Sequence, residues 1–103
     1  MTVRILIERT VGTERQDELL DLMKQLRAKA LLQQGYMSGE SLLSVDKPGT
    51  HLVISTWHSL ADWRAWENHP ERLAIMAQIE RILTTPSKTS IYIEPWAKMP
   101  EAV

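Results

Sequence analysis

The stretch THLVISTWHSLADWRAWENHPER, residues 50–72, sets the frame for the whole chain. Thr50, Leu52, Ile54 and Thr56 alternate with His51, Val53, Ser55 and Trp57, the period of two of a β-strand. Leu52-Val53-Ile54 puts apolar groups on both faces, which places this strand in the middle of a sheet. The strand stops at His58-Ser59. Ser59 followed three residues on by Asp62 resembles a capping box, with Asp in place of the usual Glu. Trp63 and Trp66 then share one face of a short helix. Asn68-His69-Pro70 interrupts it, and proline suits the first turn of a new helix. Trp57, Trp63 and Trp66, three of the four tryptophans, either fill the core or line a cavity for a planar ligand.

The flanking segments supply partners for that strand. Val3, Ile5 and Ile7 alternate with Arg4, Leu6 and Glu8 in a first strand. Gly12 breaks the chain, and Thr13 with Gln16 has the spacing of a capping box. The pattern predicts a helix from about residue 14 to 33, with Leu19, Met23, Leu26 and Ala30 as its stripe and Leu22 beside it. Acidic residues come early in it and basic ones late, in accord with the helix dipole. Gly35 supplies a left-handed stop. A second strand is expected over 36–45, with Gly39 marking a bulge or a close backbone approach. Asp46-Lys47-Pro48-Gly49 turns it into the central strand as a hairpin. A last helix is predicted over 71–83, with Leu73, Met76, Ala77, Ile79 and Leu83 as its apolar side, and a fourth strand over 89–94. The two nearby arginines, Arg64 and Arg72, read as surface residues.

This order is the α+β, ferredoxin-like βαββαβ plan with an antiparallel sheet. Its helices cover one sheet face. Apolar residues on the other face of three strands call for a partner, and a second copy related by two-fold symmetry is the simplest one. The expectation is a homodimer in which two sheets form a dimeric α+β barrel; the competing account is a monomer whose ambiguous positions are edge residues. At 103 residues the chain reads as a single domain, 1–103, with its core at about 3–94 and a short C-terminal tail.

Composition narrows the chemistry. A net charge of −1 argues against nucleic acid and anionic membrane as partners. The absence of cysteine removes disulfides, thiolate-held clusters and cysteine nucleophiles, and fits a cytoplasmic protein. No run reaches transmembrane length, and the first residues read as a strand rather than a signal peptide. The three histidines, His51, His58 and His69, form no metal-ligand pattern, so no metal is expected. His58 stands at a strand end beside a helix start, where functional residues gather; His69 caps the helix that follows. No dinucleotide, P-loop or nucleophile-elbow motif is present. Glu8, near the end of the first strand, is the candidate base, which requires burial or a neighbour to raise its pKa. Arg9 beside it is a candidate partner for a substrate oxygen. The alternative for both is a solvated strand end.

The run TWHSLADWRAWENHPERLAIMAQI, preceded by GYMSGESLL, resembles the antibiotic biosynthesis monooxygenase (ABM) domain family. The resemblance spans about residues 3–94. It implies a ferredoxin-like subunit, a homodimeric α+β barrel and a cavity between sheet and helices. Some members oxidise phenolic polyketide intermediates to quinones with molecular oxygen and neither metal nor flavin; a related branch degrades haem; others are quinol-linked or have no assigned activity. The haem-degrading branch carries an asparagine, a tryptophan and a histidine where this chain has Glu8, Trp66 and Met76, so only the tryptophan fits and haem is disfavoured. The resemblance therefore implies a cofactor-independent monooxygenase acting on a small aromatic or quinol-type molecule, with no cofactor. Trp66 would orient the ring, Glu8 would act as base, and Arg9, Trp57, His58, Trp63 and Met76 would contact substrate. Core packing is the competing role for Met76. A ligand-binding protein without turnover is the alternative function.

Overall fold

The computed structural model describes residues 1–96. The tail expected beyond the last strand falls, from residue 97, outside the described residues. Four strands, β1 (Val3–Thr10), β2 (Tyr36–Leu43), β3 (Thr50–Trp57) and β4 (Lys88–Tyr92), form one antiparallel sheet in the order β2-β3-β1-β4. Three helices accompany it, α1 (Gln16–Ala30), α2 (Leu60–Glu67) and α3 (Pro70–Ile82). The apolar centre of residues 52–54 explains why β3 lies inside the sheet, and β1 is its other interior strand.

Strand alternation sorts the sheet into two faces. Val3, Ile5, Ile7 and Arg9 of β1 point to the helices and are buried, and so is Trp57 of β3. Leu6, opposite Ile54, and Glu8, opposite Leu52, lie on the other face and are only partly buried. From the helix side, α1 contributes Leu19, Leu22, Met23, Leu26 and Ala30 to the core, the stripe read from its spacing.

The barrel expectation is corrected. The sheet is not closed: β2 and β4 are its two edges, on opposite sides of the β3-β1 pair. An open four-stranded sheet with two free edges is what the chain forms. The ferredoxin-like order stands and the barrel does not.

Local differences have identifiable causes. The first helix does not begin with a capping box. Thr13–Arg15 form a 3-10 turn whose cap position is Gly12, which has no side chain to offer, and Arg15 N donates to Gly12 O at 3.0 Å. In β2 the register shifts between Tyr36 and Ser38, so the irregularity falls beside Met37. Gly39 marks a close approach instead, since a Cβ there would run into the Tyr36 hydroxyl. Gly35 has a φ of 86°, the left-handed turn expected of it.

The buried side of α3 is also displaced. Arg72, Ile75, Ile79 and Ile82 are buried, while Leu73 is 51% exposed. Of the expected apolar side, Ile79 is buried and Met76 and Leu83 pack partly buried against the core, while Leu73 and Ala77 are exposed; an arginine at the head of the stripe hides the true 3-4-3 spacing. Arg72 is therefore not a surface residue.

Candidate functional site

Helix starts and strand ends converge on a pocket between the sheet and the helices. Ser59 Oγ accepts from Asp62 N at 3.1 Å and fixes the start of α2. Trp63 and Trp66, three apart, consequently both turn inward and are buried. At the next helix start, His69 Nδ1 accepts from Glu71 N at 3.1 Å, with Pro70 in the first turn. That cap orients α3 so that Arg72 also points in.

The pocket encloses about 60 Å³. Trp57, Trp63 and Trp66 wall it together with Tyr36, and Arg9 and Arg72 supply its buried charge. A buried water needs only about 10–15 Å³ by a comparable measure, so there is room for a few waters. A ring requires the open side to give way, and the exposed Arg27, Glu40 and Ser41 lie there. The tryptophans are core residues with one side on the pocket.

The aromatic wall is interlocked. Tyr36 meets Trp57 edge-on, centroids 5.4 Å apart at 87°, and Trp57 meets Trp63 at 5.7 Å and 62°. Trp57 Nε1 donates to Ser55 Oγ at 3.0 Å. Trp66 lies 5.4 Å from the His69 ring. Such edge contacts suit ring quadrupoles and hold the wall in place.

The charge in this apolar setting is unusual. Arg9 is 2% exposed and Arg72 6%. The Arg72 guanidinium lies 5.0 Å from the centre of the Trp63 ring, and its Nη1 donates to Glu67 O at 3.2 Å. Arg9 Nη2 donates to Met76 Sδ at 3.4 Å, a soft acceptor, while its Nε has no partner. Trp63 Nε1 is likewise buried without one. Burial, then the nearby Arg72, lowers the Arg9 pKa to about 10 against the opposing pull of Glu80. Arg72 is lowered by burial, with Glu67 opposing. Arg9 therefore keeps its positive charge at neutral pH. His51, opposite Arg9 across β1 and β3, is 4% exposed, and its pKa is lowered by burial and then by Arg9.

Of the residues expected at a site, Arg9, Trp57, Trp63 and Trp66 are gathered on this pocket. Glu8 is on the opposite sheet face, across from Leu52 and Lys88. His58 is exposed just beyond β3, where its backbone N donates to Gly35 O at 2.7 Å. Met76 touches Arg9 but is not part of the wall. Sequence reasoning missed Arg72 and Tyr36. The signal for Arg72 was its spacing with Ile75, Ile79 and Ile82. Among the described residues, no group of three or more His, Asp or Glu is placed to hold a metal ion. No helix among them is long and apolar enough to cross a membrane.

Comparison with known proteins bears on the family and the fold. Residues 2–78 match the profile of the family described as antibiotic biosynthesis monooxygenase. A 42.8 kDa protein in the whiE locus of Streptomyces coelicolor is 31% identical over 71 residues, covering 69% of this chain and 18% of that protein. Protein SchA of Streptomyces halstedii is 26% identical over 78 residues, 76% of this chain and 20% of that one. The chain thus spans about a fifth of the length of these curated relatives. Among solved structures, SnoaB, a cofactor-independent oxygenase from Streptomyces nogalater, shares the fold. Its TM-score is 0.80 at 21% identity, over 97% of this chain and 98% of that one. A conserved protein from Methanosarcina mazei gives 0.84 at 16% identity, over 89% and 91%.

Proposed function

Because this chain belongs to the antibiotic biosynthesis monooxygenase family, we propose that it is a cofactor-independent monooxygenase. Its substrate is a small electron-rich aromatic or quinol-type molecule, and its oxidant is molecular oxygen. The observation that carries this reading is the pocket walled by Trp66, Trp57 and Trp63 with the Arg9 guanidinium at its wall. Indole faces bind a planar ring, and a buried cation favours a substrate whose oxygen gains negative charge. The shared fold of a protein described as a cofactor-independent oxygenase supports it further.

The chemistry balances without an added reductant. The substrate hydroxyl loses its proton. The resulting anion gives one electron to oxygen, and the two radicals combine at a ring carbon bearing hydrogen. The peroxide formed there loses water across its O–O bond, leaving a quinone carbonyl. One oxygen atom ends in the quinone and the other in water. The substrate supplies all four electrons. Trp66 orients the ring. Glu8, on the far sheet face, has no direct path to this pocket, so the proton is released to solvent.

The same reading treats residues 1–103 as one domain of this family and pairs two copies as a homodimer. Leu6, Leu42, Leu52 and Ile54 on the uncovered sheet face support the pairing. Light scattering of the purified protein checks it: one-chain mass at micromolar concentration would remove the dimer. A cytoplasmic setting fits the cysteine-free composition.

Oxygen uptake and quinone absorbance, followed across a panel of dihydroxynaphthalenes with and without oxygen, test the activity. Product that appears only with oxygen is the expected result. Equal product under argon would rule the oxygenase out, and ring binding with no turnover across the panel would leave a ligand-binding protein in its place.

A further inference from the structure

The buried arginines pose a problem that packing alone does not solve. Taking a guanidinium out of water is costly unless a carboxylate or a set of good acceptors replaces the solvent. Among the described residues, neither Arg9 nor Arg72 forms an ion pair. The carboxylates nearest in effect are engaged elsewhere. Glu67 Oε1 pairs with Arg64 Nη1 at 2.9 Å and offers Arg72 only its backbone oxygen. Glu80 Oε1 accepts from Ser87 N at 3.1 Å. Glu40 reaches the pocket rim from the exposed edge strand β2.

Two like charges on one small apolar pocket also repel each other. Each lowers the cost of an anion placed between them, because attraction to both replaces their mutual repulsion. The donor inventory points the same way. Arg9 Nε and Trp63 Nε1 are buried donors without acceptors, on residues that both line the pocket. A missing acceptor is what this wall requires.

We propose that Arg9 and Arg72 form an oxyanion receptor, so that the pocket takes its aromatic substrate as the deprotonated phenolate. The anionic oxygen sits at the arginine end and accepts from Arg9 Nε, while the ring lies against the indoles. This deepens the oxygenase reading and rests on it for the identity of the substrate. The step is one heterolysis: the substrate O–H bond breaks, the electron pair stays on oxygen and the proton goes to solvent. A phenolate is a far better one-electron donor to oxygen than its phenol, so the receptor would also select the reactive form. Phenol ethers, which cannot ionise, are excluded as ligands of choice.

The test uses 4-nitrophenol, whose phenolate absorbs visible light and whose phenol does not. Its nitro group withdraws electrons and makes the phenolate a poor donor to oxygen, so binding is read under argon without turnover. At a pH about one unit below the probe's own pKa, adding protein is expected to raise the phenolate band. The expected fall in the bound probe's pKa is at least about one unit, a tenfold preference for the anion. 4-Nitroanisole is expected to bind at least about tenfold more weakly, the usual scale of a charge-assisted hydrogen bond. Arg9→Met abolishes the shift and Arg9→Lys keeps part of it. Arg72→Met, on a separate element, provides a second reading if Arg9→Met does not fold. An unshifted probe, equal binding of the ether, or a full shift in a folded Met variant would each overturn the receptor. Failure of oxygen uptake with every substrate would end the oxygenase reading and leave this titration standing.

Discussion

Arg72 holds its guanidinium carbon 5.0 Å from the centre of the Trp63 ring, with both side chains buried. The contact joins α3 to α2 across the pocket wall. Cation–π attraction of about 0.5–2 kcal/mol offsets part of the desolvation cost but not all of it. Arg72→Met, which fills a similar volume without charge, is therefore expected to leave stability unchanged or to raise it by about 1–4 kcal/mol. Urea denaturation checks this. A loss of about 3 kcal/mol or more would mean that Arg72 is chiefly structural.

Trp66 is 3% exposed and walls the pocket while packing near His69. Trp66→Ala should cost about 3–5 kcal/mol, the scale for truncating a large core residue. Trp66→Phe keeps a ring and should cost under about 2 kcal/mol while weakening aromatic binding. Thermal melts and ligand titration on the same samples separate the two effects. Unaltered binding in the Phe variant would show that this indole is core alone.

Stability should also depend on pH through His51. Its folded pKa is depressed from 6.5, by burial first and by Arg9 second. The unfolded chain therefore binds more protons than the folded one as pH falls through and below about 6.5. The stabilisation is present above that value and is lost as acid carries the pH down through the folded pKa. Denaturant midpoints at pH 7.5 and 5.5 measure the slope, and His51→Gln should flatten it. A variant with the wild-type slope would assign the pH dependence to another group.

The helix start that sets the tryptophans is open to a simple test. Ser59→Ala removes the side-chain acceptor for Asp62 N and should cost about 1 kcal/mol. Denaturant unfolding is the measurement, and an unchanged midpoint would show that packing of Trp63 and Trp66 alone sets the helix start.

Much of this was legible because one physical signal ruled each element. Period-two alternation with apolar centres identified β1 and β3, and helical spacing identified the α1 stripe. Ser59, His69 and Pro70 announced their caps by type and position. What stayed hidden depended on tertiary context. Nothing local distinguishes Arg9 at a strand end from a solvated arginine; only the helices laid over it bury it. Arg72 broke the apolar pattern of α3, so Leu73 was read into the buried face in its place. Glu8 and Arg9 are neighbours in sequence, yet strand alternation sends neighbours to opposite faces, and only Arg9 meets the pocket. The barrel failed for a different reason: apolar residues on a second face call for cover without specifying that the sheet closes.

The central claim is that this protein inserts one atom of molecular oxygen into an aromatic ring. Turnover of 1,5-dihydroxynaphthalene, whose quinone needs one new ring oxygen, under heavy-isotope oxygen, with mass spectrometry of the quinone, tests it most directly. The account predicts one labelled atom in the product, with the other in water. A quinone carrying no label, its new oxygen drawn from solvent, would contradict it.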